Sequence, residues 1–130
     1  MAKKIETVDG FDVFFTAETE EESKRHHFIE GCGWTEAQYK EYVGECKGRW
    51  FCAHVEIKLA GYTLSDQYLG CCHYKTAAEF YTKYHDDYFS DMVKEGISEA
   101  RTSLPTLVAE LKQQAVALVK TIQAFEGVMQ

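Results

Sequence analysis

The chain has little of several features that define large classes of proteins. It contains a single proline and few runs of glycine or serine, which argues against a linker and predicts one domain over residues 1–130. No apolar run approaches the roughly 20 residues that a membrane-spanning helix needs, so we expect no membrane partner. Lysine and arginine are scarce: 14 of them against 21 aspartates and glutamates give a net charge of −7. This charge disfavours direct binding to nucleic acid and favours a protein partner with a basic surface.

The familiar sequence signatures of catalysis are missing as well. The sequence has no glycine-rich phosphate loop, Gly-x-Ser-x-Gly elbow, His-Glu-x-x-His pair, EF-hand loop or dinucleotide-binding fingerprint. Their absence does not exclude catalysis, but no motif suggests a reaction. We therefore interpret the chain first as a non-enzymatic protein and keep an enzyme as the alternative.

Cysteine usage indicates a reducing compartment. The five cysteines are an odd number, and Cys71 and Cys72 are adjacent, which makes a poor disulfide framework. Residues 1–10 contain two lysines but no apolar segment of the signal-peptide type. We expect the protein to reside in the cytoplasm.

The clearest positive signal is a heptad pattern at the C-terminus. Its apolar residues alternate in steps of four and three: Leu104, Val108, Leu111, Ala115, Leu118, Ile122, Phe125 and Met129. The pattern predicts a helix over Pro105–Glu126, with Ser103 as a candidate cap and Gly127 at its end. Such a seam either packs on the preceding helix as an antiparallel hairpin through Pro105 or pairs two chains in a homodimer. We favour the hairpin for the monomer, and the two arrangements are not exclusive.

The remaining patterns predict an α+β fold. Period-two alternation and capping boxes place strands at 11–16, 49–60 and 67–74, and helices at 19–30, 35–47 and 76–102. We therefore expect a small, mostly antiparallel sheet of about three strands, covered by helices on one face, with two long C-terminal helices. The two later strands are predicted to pair as a hairpin in which Ala60 lies opposite Gln67.

In that register, two cysteines and two histidines share one face of the hairpin. This quartet consists of Cys52, His54, Cys71 and His73. Two thiolates and two imidazoles suit a tetrahedral zinc ion, and the same residues supply a cysteine nucleophile with a histidine base. The plainer interpretation is that they are packing residues, because the spacing matches no established motif and a one-residue slip separates them. The adjacent pair His26 and His27 is interpreted as a surface or half-buried pair that does not share one metal ion, since neighbours on a helix point about 100° apart.

An acidic row occupies the long helical region before the heptads. Four residues recur at four-residue spacing: Asp87, Asp91, Glu95 and Glu99. Like charges at this spacing destabilise a helix, so the row suggests a surface that meets lysines and arginines of a partner. The plainer interpretation is a solvated helix face with basic residues nearby.

In size, acidity and lack of a catalytic signature, the chain resembles the small single-domain inhibitors of bacteriophages and mobile elements, of the anti-CRISPR and anti-restriction type. This resemblance rests on general character and on no matched motif. It implies an inhibitor that covers the basic, nucleic-acid-binding surface of a host defence complex in the host cytoplasm, with the acidic helix in place of phosphates. The alternative function is a zinc-binding module or a small cysteine/histidine enzyme built on the 52–73 hairpin.

Overall fold

A computed structural model describes residues 1–45, 48–82 and 88–129. The strands are β1 (Lys3–Val8), β2 (Phe11–Thr19), β3 (Arg49–Leu59) and β4 (Tyr62–Tyr74). The helices are α1 (Lys24–His26), which continues into a π-helical turn (His27–Gly31), α2 (Glu36–Glu45), α3 (Glu79–Thr82) and α4 (Tyr88–Met129). The predicted α+β class is confirmed.

The four strands form one antiparallel sheet in sequence order. This corrects the expected three strands, since β1 was not predicted. The β1–β2 turn consists of Asp9 and Gly10, which both have positive φ (51° and 85°). That geometry is a type I′ turn, and Asp-Gly is its usual sequence. The dipeptide was therefore the signal that could have revealed β1.

The β3–β4 hairpin is tighter than the sequence predicted. Ala60 and Gly61 have φ of 49° and 83° and form a two-residue turn, so Leu59 pairs with Tyr62. Gln67 therefore lies opposite Val55 and not opposite Ala60. The expected turn region 61–66 is part of β4, because the primed turn closes the hairpin five residues earlier along the chain.

The short helices between β2 and β3 begin directly after residues whose side chains cap them. Thr35 and Gln38 exchange hydrogen bonds as the predicted capping box, with lengths of 2.8 and 3.1 Å. The predicted start of the first helix at Thr19 is wrong, since β2 extends through Thr19 and the helix begins at Lys24. The side chain of Ser23 caps α1 instead, by accepting a hydrogen bond from the amide of His26 (3.0 Å).

The core lies between one face of the sheet and the first half of α4. Val13, Val55 and Ile57 are fully buried on the sheet side, and Ile97 and Ala100 face them from the helix. Gly96 allows this close approach, because a Cβ there would lie 2.7 Å from Cγ1 of Ile57. The opposite sheet face is covered at one end by α1, the π-helical turn and α2.

The C-terminal region is one continuous helix of 42 residues, which corrects the two predicted long helices. Pro105 lies inside α4 and not at a helix start. We call Tyr88–Leu104 the packed half and Pro105–Met129 the arm; 25 residues at 1.5 Å each make the arm about 37 Å long. Among the described residues, no helix is both long enough and apolar enough to cross a bilayer.

Candidate functional site

The structure does not bring the predicted quartet together. His54 lies opposite Tyr68, whereas His73 lies opposite Trp50 at the far end of β3. Cys71 occupies a bulge of β4 and has a positive φ of 58°. The cause is the tight turn at residues 60–61, which shifts β4 along β3. Within the described ranges, the groups of side chains with metal-binding geometry combine members of the quartet with other residues.

His54 lies between carboxylates of the two neighbouring strands. Its Nδ1 is 2.9 Å from Oε1 of Glu18 on β2, and its Nε2 is 2.6 Å from Oδ1 of Asp66 on β4. Oε1 of Glu56 is 4.0 Å from the same Nδ1. Each ring nitrogen therefore lies within hydrogen-bonding distance of a carboxylate oxygen, and the ring connects β3 to both neighbouring strands.

The ring of His54 is covered although it lies on the open sheet face. Tyr68 stacks on it with ring centroids 4.2 Å apart and planes 6° from parallel. His54 is consequently only 8% exposed, whereas Tyr68 is 60% exposed. His54, Glu56 and Asp66 have ligand atoms within 4.8 Å of one another, but hydrogen bonds and stacking already account for the position of His54.

A second group with metal-binding geometry joins the π-helical turn to the bulge of β4. A carboxylate oxygen of Glu22, a ring nitrogen of His27 and the sulfur of Cys71 all lie within 4.8 Å of one another. We call these three residues the thiol site. Glu22 is exposed, while His27 and Cys71 are half-buried. The sequence assigned Cys71 to a different set, and it predicted His27 to be a surface or half-buried residue without a metal-binding role.

The π-helical turn determines where His27 points. Its wider hydrogen bond runs from the amide of Cys32 to the carbonyl of His27 (3.0 Å), and this turn follows α1 directly. The ring of His27 packs against Phe28 and Trp50, with centroid separations of 4.9 and 5.5 Å. Single π-helical turns are frequent at functional sites. No local sequence signal distinguishes such a turn from an ordinary α-helical one.

The thiols on the sheet have raised pKa values. Burial is the largest cause for both Cys71 and Cys72 and raises the pKa of each to about 11; a hydrogen bond to Glu22 adds to the effect at Cys71. Burial and the nearby carboxylates of Glu20 and Glu18 also raise the pKa of Cys52. These shifts are opposite to the lowered thiol pKa of nucleophilic cysteines. The raised pKa values therefore argue against a nucleophilic role for these cysteines.

His73 belongs to an aromatic cluster at the end of the open sheet face. Its Nδ1 contacts the hydroxyl of Tyr42 (2.9 Å), and its Nε2 is 3.3 Å from Nζ of Lys24. Its ring also packs near Trp50 and Phe28. Burial, with a smaller effect of the Lys24 charge, lowers the pKa of His73. Its surroundings are those of a packed histidine.

The acidic row lies on the outside of the packed half of α4. Asp91, Glu95 and Glu99 are exposed, and none forms an ion pair within the part of the chain that the structure describes. Asp87, the fourth predicted member, lies outside the described residues. The residues that alternate with this row are buried against the sheet, so three carboxylates are held on a rigid support.

A cleft with a volume of about 720 Å³ lies between β1 and the start of α4. Lys3, Lys4 and Lys94 line it together with Glu6. Lys4 already pairs with Asp12 at 3.0 Å. This partial compensation leaves the cleft with little excess charge to select an anionic ligand.

Comparisons with models of known families, with curated proteins and with solved structures found no significant match.

Proposed function

We propose that this chain is a non-enzymatic protein-interaction module and that the arm is its assembly element. The observation that supports the proposal most strongly is the exposed seam of the arm. Leu118 is 61% exposed, Ile122 47% and Phe125 64%, with Val116 and Val119 exposed beside them. Soluble monomers rarely display a continuous apolar surface of this length, and such surfaces mark interaction sites.

The heptad identities favour a second copy of the chain as the partner of the arm. Val108, Ala115 and Ile122 occupy a positions, and Leu111 and Leu118 occupy d positions. Two of these a residues, Val108 and Ile122, are β-branched, and β-branched residues at a with leucine at d favour a parallel two-stranded coiled coil. An arm of 25 residues provides more than three heptads for this contact. The predicted hairpin is no longer an alternative, since α4 is continuous.

Flanking charges do not oppose this pairing. Lys112 and Glu126 are the charged residues at the e positions of the arm, and the g positions 107, 114, 121 and 128 are uncharged. No row of like charge therefore faces its symmetry mate. The apolar seam, and not electrostatic attraction, would determine the stability of the dimer.

The acidic row is the proposed contact for a partner with a basic surface. Three unpaired carboxylates spaced one helical turn apart complement a row of lysines and arginines better than they complement a surface of mixed charge. A dimer would present two such rows, so a partner that contacts both would gain avidity. By analogy with the phage inhibitors that the chain resembles, we propose that the partner is the basic surface of a nucleic-acid-binding complex.

The assembly proposal is tested by the solution mass of the whole protein. Sedimentation equilibrium of the natural sequence should give a dimer. Changing Leu118 and Ile122 to glutamate should give a monomer, because charges would be buried in the seam. The matched control changes Gln113 and Gln123 to glutamate, which adds the same charge off the seam and should leave the dimer intact. A monomeric natural protein at high micromolar concentration would refute the assembly role.

Binding to a lysine- and arginine-rich peptide tests the acidic row. Changing Asp91, Glu95 and Glu99 to serine should weaken binding and flatten its dependence on salt. The control changes three exposed carboxylates elsewhere to serine: Glu6, Glu30 and Glu41. Both variants have the same net charge, so an equal loss in both would show nonspecific attraction and contradict the proposed contact.

A further inference from the structure

Three side chains with different metal-binding atoms converge beside the bulge of β4. Glu22 precedes α1, His27 begins the π-helical turn and Cys71 lies in the bulge. We propose that Glu22, His27 and Cys71 bind a zinc-like divalent ion, with the fourth position open to water. This site is independent of the assembly role and uses only one member of the predicted quartet.

The distances at the thiol site are close to those of a coordinated ion. Sγ of Cys71 lies 3.4 Å from Oε2 of Glu22. A sulfur and an oxygen bound to one tetrahedral zinc ion would be about 3.5 Å apart, from Zn–S and Zn–O lengths of about 2.3 and 2.0 Å. The three ligand atoms all lie within 4.8 Å of one another.

Contacts around the site fix its backbone before any ion binds. Trp50 Nε1 donates to the carbonyl of Glu22 (2.7 Å), and the amide of Cys71 donates to Oε2 of Glu20 (2.9 Å). Nδ1 of His26 lies 3.1 Å from Oε1 of Glu22, the oxygen that does not face the thiol. Such outer contacts orient metal ligands in known sites.

The chemistry of the three donors selects the class of ion. A thiol, an imidazole and a carboxylate suit zinc, whereas calcium and magnesium prefer oxygen ligands throughout. On coordination the thiol proton leaves to solvent, and the thiolate and the carboxylate of Glu22 balance the two positive charges. A cleft of about 250 Å³ lined by His27 and Cys71 gives the ion access.

Cobalt(II) titration of the reduced whole protein provides the test, with zinc added as competitor. A thiolate bound to cobalt gives a charge-transfer band in the near ultraviolet, which reports a sulfur ligand directly. The natural sequence should show this band, and zinc should abolish it. If the natural protein shows no band, the site is refuted.

Matched substitutions identify the ligands. Cys71→Ser should remove the band and Cys52→Ser should keep it. His27→Asn should weaken cobalt binding more than about tenfold, whereas His26→Asn, at the adjacent position, should have a smaller effect. Loss of the band in Cys52→Ser, or a greater loss for His26 than for His27, would overturn this assignment.

A surface substitution keeps the test decisive if the cysteine or histidine variants do not fold. Glu22 is exposed, and Glu22→Gln removes the charged ligand with little change in shape. It should weaken cobalt binding more than about tenfold, while Glu21→Gln next to it should not. Circular dichroism would verify the fold of each variant. Equal affinities for these two variants would overturn the role of Glu22.

Discussion

The two halves of α4 have similar apolar patterns and opposite surroundings. In the packed half, Ile97 is 5% exposed and Ala100 is fully buried against the sheet. In the arm, Ile122 is 47% exposed and Phe125 is 64% exposed. An apolar stripe on a helix therefore does not by itself indicate whether the stripe is buried within the same chain.

Matched isoleucine substitutions should give the largest difference between the halves. Ile97→Ala would leave a cavity between α4 and the sheet and should lower the free energy of unfolding by about 2–5 kcal/mol. Ile122→Ala should change the unfolding of a single chain by about 0.5 kcal/mol or less, since its surroundings are open. Urea titrations at two protein concentrations would separate the chain's own stability from that of a dimer. Similar losses at low concentration would contradict the division into two halves.

Removing the proline at the junction should strengthen the connection between the halves. Pro105 has no N–H to donate to the carbonyl of Arg101, and its ring crowds that carbonyl. Pro105→Ala should stabilise the helix there by up to about 3 kcal/mol. The change would appear as slower amide exchange around the junction, measured against Thr106→Ala as the control. Unchanged exchange would show that the junction is already as stable as the rest of the helix.

Each half of α4 offers one glycine whose replacement by alanine should change the stability, and the two changes should have opposite signs. Gly96→Ala places a Cβ 2.7 Å from Cγ1 of Ile57. Overpacking by about 1–3 kcal/mol should exceed the gain in helix propensity of about 1 kcal/mol, so the protein should become less stable. At Gly127 a Cβ meets nothing within 4 Å, and Gly127→Ala should stabilise the arm by at most about 1 kcal/mol. Thermal unfolding midpoints that move in the same direction would show that packing at Gly96 is looser than the structure indicates.

The smallest predicted effect is a dependence of the stability on pH, which we expect to arise from the sheet and not from the arm. The five histidines all precede residue 88, and burial, followed by Lys24, lowers the pKa of His73. The stability that His73 contributes is therefore complete above the unfolded pKa of about 6.5 and is lost as pH falls through the lower folded value. His73→Gln should flatten this part of the pH profile in urea titrations. An unchanged profile would assign the dependence to another group.

Local signals predicted part of the fold and little of the candidate sites. The Thr35 box and the alternation of β3 depend on neighbours in sequence, and both appear in the structure. The quartet depended on a register that a two-residue turn at Ala60 and Gly61 determines. Because this turn closes the hairpin five residues earlier along the chain than predicted, the members of the quartet lie opposite other residues and apart from one another.

The α+β class, the net charge, the acidic row and the heptad seam could all be predicted from the sequence, because each follows from composition or from a period along one element. Three further features are visible only in the folded chain: Pro105 continues α4, the apolar residues of the arm from Val116 to Val128 are exposed, and Glu22, His27 and Cys71 lie close together. These outcomes depend on contacts between distant segments. Packing of a long helix on a sheet and the closure of a tight turn decide such contacts, and no local pattern encodes them.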